Sequence, residues 1–184
     1  MKIEKTDIEG LLIIHPDVFG DERGFFFESY NVKKYKDLGL SADFVQDNIS
    51  KSKYGTVRGL HYQTGEYAQG KLCQVLKGKV LDVAVDIRSG SPTYGKHASL
   101  ELSGDNHIQF WIPPGFAHGF SVLSDEAFFM YKCTNYYNKE YERSILFNDP
   151  DLSIDWRIEK PVVSEKDKKA KLFKERGEEF FFNT

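Results

Sequence analysis

The sequence predicts a mainly β fold, built as a sandwich or a barrel. From Lys53 onward, short runs with strand character follow one another at 56–63, 71–77, 79–88, 97–103, 107–112, 118–123 and 127–136. Turn signals separate them: Lys77-Gly78, Ser89-Gly90-Ser91-Pro92, Ser103-Gly104-Asp105-Asn106 and Pro113-Pro114-Gly115. Short strands at this spacing pack as a sandwich or a barrel. Aromatic content is 15%, with 15 Phe and 10 Tyr. That suits a β-rich core or a stacking surface for a planar ligand.

Taken in order, residues 8–15 read as an apolar strand broken by Pro16. Asp21-Glu22-Arg23-Gly24 reads as a turn and Phe25-Phe26-Phe27-Glu28-Ser29-Tyr30 as a second strand. Residues 32–38 have weak helical character that stops at Gly39. Phe44-Val45-Gln46-Asp47-Asn48-Ile49-Ser50 is short and extended, with three consecutive amide or carboxylate side chains. In the run 79–88, Leu81, Val83, Val85 and Ile87 form one face, with Asp82 and Asp86 on the other. In a barrel the acidic face would line the lumen. After Asp149-Pro150-Asp151 the chain changes character. Ser164-Glu165-Lys166-Asp167 opens a charged helix expected to run to about Arg176, where Gly177 stops it. There is no repeat, low-complexity tract or interdomain linker. The 184 residues are expected to form one domain: N-terminal strands at 1–50, a barrel core at 51–148 and a C-terminal helical segment at 149–184.

The formal net charge is −3, so no global basic field favours nucleic acid, and any phosphate site must be local. The two cysteines, Cys73 and Cys133, each sit in an apolar strand-like run. They read as reduced core thiols, not a disulfide framework. The N-terminus MKIEKTDIEG has no apolar stretch of the signal-peptide kind, and no run approaches transmembrane length. A cytoplasmic enzyme or binding protein, with no membrane partner, is the expectation.

The stretch Thr56-Val57-Arg58-Gly59-Leu60-His61-Tyr62-Gln63 puts a cation, a glycine and an imidazole within four residues. On a regular strand Arg58 and His61 point to opposite faces. A bulge at Gly59 would turn both toward one cavity. The plainer alternative is a core strand with one satisfied histidine and one surface arginine.

His61 together with Pro113-Pro114-Gly115-Phe116-Ala117-His118 resembles the cupin superfamily, whose fold is a double-stranded β-helix, or jelly-roll, barrel. Metal-binding cupins carry His-x-His followed by Glu. Here Gln63 replaces the second histidine and Glu66 comes too early. His61 and His118 alone are too few for a tight first-row metal site. The expectation is no metal and no cofactor, which leaves the histidines free for proton transfer.

Further motifs occur in one order. They are Phe19-Gly20-Asp21-Glu22-Arg23-Gly24-Phe25-Phe26-Phe27-Glu28-Ser29, Phe44-Val45-Gln46-Asp47-Asn48, Arg58-Gly59-Leu60-His61-Tyr62-Gln63 and Lys71-Leu72-Cys73-Gln74-Val75. Pro113 to Phe120, Tyr131-Lys132-Cys133-Thr134-Asn135-Tyr136-Tyr137, Asn148-Asp149-Pro150 and Ser164-Glu165-Lys166-Asp167 follow. The set is similar to the dTDP-4-dehydrorhamnose 3,5-epimerase family over residues 3–173. The resemblance implies a cupin barrel with a short C-terminal helix. It implies inversion of C3 and C5 in dTDP-4-dehydro-6-deoxy-D-glucose, giving dTDP-4-dehydro-L-rhamnose for dTDP-L-rhamnose biosynthesis. By matching positions, His61 is the base, Asp167 its carboxylate partner, Lys71 the stabiliser of charge on the ketone oxygen and Tyr131 the acid. Asp82 is the alternative partner for His61. Asp167 also has a purely structural reading, as the third helical residue of a capping box begun by Ser164. Binding positions are Arg23, Phe26, Glu28, Gln46, Asp47, Asn48, Arg58, His118, Tyr137, Glu142 and Lys166. The family further implies a homodimer in which the segment from Arg23 to Glu28 completes the neighbour's site. The alternatives are a related sugar-nucleotide enzyme (one epimerisation, or a ketone shift) and a non-catalytic sugar-nucleotide-binding cupin.

Overall fold

The computed structural model describes residues 1–182. Among the described residues thirteen strands run in chain order. They are β1 (Lys2–Lys5), β2 (Leu12–His15), β3 (Phe19–Asp21), β4 (Gly24–Phe26), β5 (Gln46–Lys53), β6 (Val57–Gln63), β7 (Lys71–Lys77), β8 (Lys79–Asp86), β9 (His97–Ser103), β10 (Gln109–Ile112), β11 (Phe116–Val122), β12 (Glu126–Cys133) and β13 (Glu142–Ser144). One sheet has the order β1-β2-β10-β7-β12-β5 and the facing sheet β13-β6-β11-β8-β9, while β3 and β4 form a separate hairpin. Two facing antiparallel sheets make the jelly roll that the spacing of turn signals anticipates.

Alternation along the strands creates two apolar layers. Val80 and Ala84 of β8 pack with Cys73, Val75, Phe110, Phe120 and Phe129, which come from both sheets. Leu81, Val83 and Val85 face the other way, onto Val57, Leu60 and Tyr62 and onto Leu152, Trp156 and Phe173 of the C-terminal segment. The face carrying Asp82 is therefore the one turned between the sheets, and both Asp82 and Asp86 are fully buried. Asp86 accepts bonds from Arg88, Ser91 and Thr93. A buried charge needs such partners.

Several elements differ from expectation. The first apolar run becomes a strand only at Leu12, because Gly10 turns the chain with φ of +100°. The second strand stops at Phe26, and β1 and β13 carry too little apolar alternation to be read from sequence. The first helix, Val32–Asp37, starts at Asn31, whose side chain accepts the Lys34 N–H. The C-terminal helix spans only Glu165–Lys168 and does not reach Arg176. After it the chain extends, so that Leu146 N–H bonds to the Lys171 carbonyl and Phe173 N–H to Asp149. Burial of Phe173 on the outer layer outweighs the helix preference of a charged run. Among the described residues, no helix is long and apolar enough to cross a membrane.

One irregularity shapes the cavity. His61 lies opposite His118 and Arg58 opposite Phe120, so Gly59 and Leu60 together face the single residue Gly119. This is a β-bulge. Gly59 has φ of +131°, and a Cβ there would lie 2.5 Å from the Gly119 Cα and 2.9 Å from the His118 carbonyl oxygen. Both contacts are to backbone, so relief requires the strands to part. Gly59→Ala is expected to lower unfolding stability by roughly 2–5 kcal/mol and to cut turnover with it. Urea denaturation at wild-type stability would contradict this account of the bulge.

Candidate active site

The bulge puts Arg58 and His61 on the same side of β6, and both border an inner cavity of about 150 Å³ with Lys71, His118, Gly119, Phe120, Ser50 and Tyr131. It shares His61, Lys71 and Tyr131 with an outer cavity of about 250 Å³, lined also by Gln46, Asn48, Gln63, Gln69, Tyr137 and Glu142. His61 comes from one sheet, and Lys71 and Tyr131 from the other. The Lys71 ammonium lies 5.9 Å from the Tyr131 ring centroid.

His61 Nε2 is 2.6 Å from Asp167 Oδ1. The Asp167 carboxylate is 5% exposed and the His61 ring 31%. The Asp167 N–H also donates to Ser164 Oγ at 3.1 Å. The two readings of Asp167 are thus both realised: its backbone closes the helix cap and its carboxylate holds the imidazole. Burial would raise the Asp167 carboxyl, but bonds from His61, from the Ser164 hydroxyl and from the Gly59 N–H hold it below its usual range.

A second pair lies deeper. His118 Nε2 is 2.6 Å from Asp82 Oδ1, so Asp82 partners His118 and not His61. Burial pushes the His118 ring toward its neutral form, against the pull of Asp82. The Tyr131 phenol is pushed up to about 12, chiefly by burial and then by Cys133 and Cys73. It therefore stays protonated across the neutral range.

At the outer rim Glu142 accepts bonds from Lys166 at 2.6 Å and from the Tyr137 hydroxyl at 3.0 Å. Gln46 Oε1 accepts the Tyr137 N–H at 3.0 Å and its amide donates to Asn48. Arg58 donates to Ser52 at 3.0 Å. Alternation along β5 sends Asp47 to the opposite face, where Lys132 holds both its oxygens at 2.9 Å. Arg23, Phe26 and Glu28 do not reach this cavity in the single chain. Arg23 pairs with Asp21, Glu28 with Lys34, and Phe26 is 68% exposed.

Gln63 has a positive function that its place in the metal motif conceals. Its amide donates to the Tyr67 and Tyr136 carbonyls and accepts the Asn138 N–H, and so it braces the loop that carries Tyr137. Ser50 shares the inward parity of Gln46 and Asn48 on β5, a signal that alternation provides. Gln69 sits after a short 3₁₀ turn, Gly65–Tyr67, where sequence offers none.

A family model described as dTDP-4-dehydrorhamnose 3,5-epimerase matches residues 5–175. The chain is 53% identical to the dTDP-4-dehydrorhamnose 3,5-epimerase of Shigella flexneri, over 94% of this chain and 96% of that protein. The chain belongs to the dTDP-4-dehydrorhamnose 3,5-epimerase family. This epimerase is also 52% identical to the Legionella pneumophila dTDP-6-deoxy-D-glucose-3,5-epimerase solved in complex with dTDP-4-keto-L-rhamnose. That match has a TM-score of 0.96 and covers 100% of this chain and 99% of that one. At 31% identity and TM-score 0.86, it is similar to a 3'-monoepimerase from Streptomyces bikiniensis solved with dTDP-quinovose, over 92% of this chain and 86% of that one.

The two functions of Asp167 separate by pH. Its carboxyl titrates lower in the folded than in the unfolded chain. It therefore stabilises the fold above the unfolded value of about 4, and the contribution is lost as pH falls through the lower native value. Asp167→Asn is expected to cost about 1–3 kcal/mol at pH 7 and nothing at strongly acid pH. Ser164→Ala is expected to keep a cost of about 1 kcal/mol at strongly acid pH, where the cap bond to the Asp167 N–H remains, and to cost somewhat more at pH 7, where its hydroxyl also bonds the carboxylate. Urea midpoints across pH check both, and parallel pH curves for the two variants would rule out the His61–Asp167 pair.

Proposed function

We propose that this epimerase converts dTDP-4-dehydro-6-deoxy-D-glucose into dTDP-4-dehydro-L-rhamnose, inverting C3 and C5, within dTDP-L-rhamnose biosynthesis. One observation carries the reading. The His61 ring is held at one nitrogen by a buried carboxylate, and it borders a cavity that Lys71 and Tyr131 line from the opposite sheet. Substrates and products of this kind are named for the relatives.

In this reading His61 removes the proton from the carbon next to the C4 ketone. The electron pair moves onto the ketone oxygen, where the Lys71 ammonium stabilises the enolate. Tyr131 then donates to the opposite face of that carbon. A phenol with so high a pKa is a weak acid, yet the enolate carbon is far more basic, and a strong donor would have ionised before the reaction. His61 ends protonated and Tyr131 ionised, and water in the open outer cavity returns the proton between them. The same cycle serves C3 and C5. Proton removal and return leave the oxidation state unchanged, so neither a redox cofactor nor a metal is part of the scheme.

In this reading Gln46, Asn48, Tyr137, Glu142 and Lys166 hold the nucleotide end of the substrate, and Arg58 and His118 bind nearer the sugar. The exposed hairpin residues Phe19, Phe25 and Phe26 support a homodimer in which a second copy's Arg23, Phe26 and Glu28 complete the nucleotide site. Full activity in a monomeric form would overturn that arrangement.

Turnover in deuterated water is expected to place deuterium at both C3 and C5, with the L-rhamno product. Deuterium at C3 alone would make the enzyme a monoepimerase like the Streptomyces protein. His61→Asn should lower turnover about 10²–10⁴-fold and abolish exchange at both carbons. Tyr131→Phe should retain exchange by His61 while losing the inverted product. Unchanged product formation in Tyr131→Phe would remove Tyr131 from the mechanism, and activity lost on chelation would end the metal-free scheme.

A further inference from the structure

Cys73 of β7, Asp82 of β8 and His118 of β11 bring a thiol, a carboxylate and an imidazole together between the sheets, with their ligand atoms all within 4.8 Å of one another. Cys73 Sγ is 3.8 Å from His118 Nε2, which is 2.6 Å from Asp82 Oδ1. All three residues are buried. The second oxygen, Asp82 Oδ2, is buried with no hydrogen-bond partner. An acceptor-only carboxylate oxygen in that position is costly, and it leaves coordination capacity beside a thiol. His118 also borders the inner cavity, which opens onto His61 and Lys71.

We propose that Cys73, Asp82 and His118 form a three-ligand site for a soft divalent cation of the zinc class, set in the wall of the reaction cavity, and that filling it inhibits the epimerase. Tetrahedral zinc, with bonds of about 2.3 Å to sulfur and about 2.0–2.1 Å to nitrogen, spaces its ligand atoms by roughly 3.3–3.6 Å. Cys73 and His118, 3.8 Å apart, need to close by about 0.2 Å, and His118 and Asp82 to part by about 0.7 Å. Three protein ligands leave the fourth position for water or a substrate oxygen from the cavity. A thiolate selects zinc, cadmium or cobalt over magnesium and calcium.

Binding balances without redox change. The Cys73 thiol releases one proton to solvent, and the His118 proton moves to Nδ1 so that Nε2 can ligate. Asp82 enters as the carboxylate. Two anionic ligands neutralise the dication, which offsets the repulsion from the Lys71 ammonium on the same face of β7. The filled site locks His118 and puts a new ligand position where substrate must sit. This is not the His-x-His arrangement that Gln63 interrupts, since neither His61 nor Glu66 takes part.

The test uses the intact protein after chelator treatment, titrated with Co²⁺ without substrate. One Co²⁺ per chain is expected, with a thiolate-to-cobalt charge-transfer band that Zn²⁺ abolishes. Cys73→Ser and Cys73→Val should both lose the band, while Cys133→Ser keeps it. Zn²⁺ should bind Cys73→Val at least about 100-fold more weakly, beyond what loss of a group outside the ligand shell costs. Zn²⁺ should inhibit the wild type reversibly and spare Cys73→Val, whose basal turnover is unchanged. The proposal falls if no stoichiometric band forms, if the band survives loss of Cys73, or if Zn²⁺ inhibits both proteins equally. The inhibition arm rests on the proposed epimerase activity, whereas the cobalt spectrum does not, so the two can fail separately.

Discussion

The approach of β6 to β11 at Gly59 and Gly119 is the constraint on which the cavity depends. Neither residue tolerates a side chain. A Cβ on Gly119 would lie 2.7 Å from the Arg58 carbonyl oxygen and 3.1 Å from the Gly59 Cα. The two backbones close up because the bulge puts two residues against one. Its consequence is parity: Arg58 and His61, three residues apart, lie on one side of a strand that would otherwise divide them. On the outer side, the Trp156 ring stands 3.1 Å from the same Gly119 position, so an indole seals the place where two glycines leave no side chain of their own.

That indole belongs to the C-terminal segment, and the segment does more than cover the sheet. Trp156 donates to the Phe147 carbonyl at 2.7 Å, and Ser121 donates to the Trp156 carbonyl at 2.7 Å. Val162 then pairs with the start of β6, through Val57 N–H to Val162 at 3.0 Å and Val162 N–H to Gly55 at 2.8 Å. Five residues later Asp167 meets His61. The outer apolar layer fixes where the carboxylate stands, so packing far from the cavity sets the orientation of the imidazole. The helix carrying Asp167 needs only four residues because tertiary contacts, not helical propensity, hold it.

Much of this was legible in the sequence, and the exceptions have physical causes. Alternation in β8 and the turn residues between strands pointed to a sandwich or a barrel, because a half-buried strand must alternate, and the family resemblance chose the barrel. The glycine between Arg58 and His61 pointed to a bulge, because only glycine suits that backbone. Partnerships across long separations were less legible. The residues themselves do not say whether Asp82 or Asp167 holds His61, and the family resemblance favoured Asp167. Asp47 carried a motif position yet lies on the wrong side of β5, since neighbouring residues on a strand cannot share a face. The length of the last helix was overestimated because its charged pattern says nothing of the pocket that draws in Phe173. The Cys73–Asp82–His118 cluster needed three strands from two sheets, which no spacing along the chain announces.

The two histidine–aspartate pairs have the same chemistry and the same 2.6 Å separation, so environment must distinguish them. The His118 ring is buried, and burial holds it toward the neutral form despite Asp82. Taking up a proton there would place a charge in a low-dielectric interior. His61 is 31% exposed at the cavity, so water can solvate and discharge its imidazolium. A base that turns over must both accept the proton and lose it, and solvent access governs the second half. That difference favours His61 as the group that cycles and His118 as a fixed polar wall, even though sequence spacing ranks the two histidines alike.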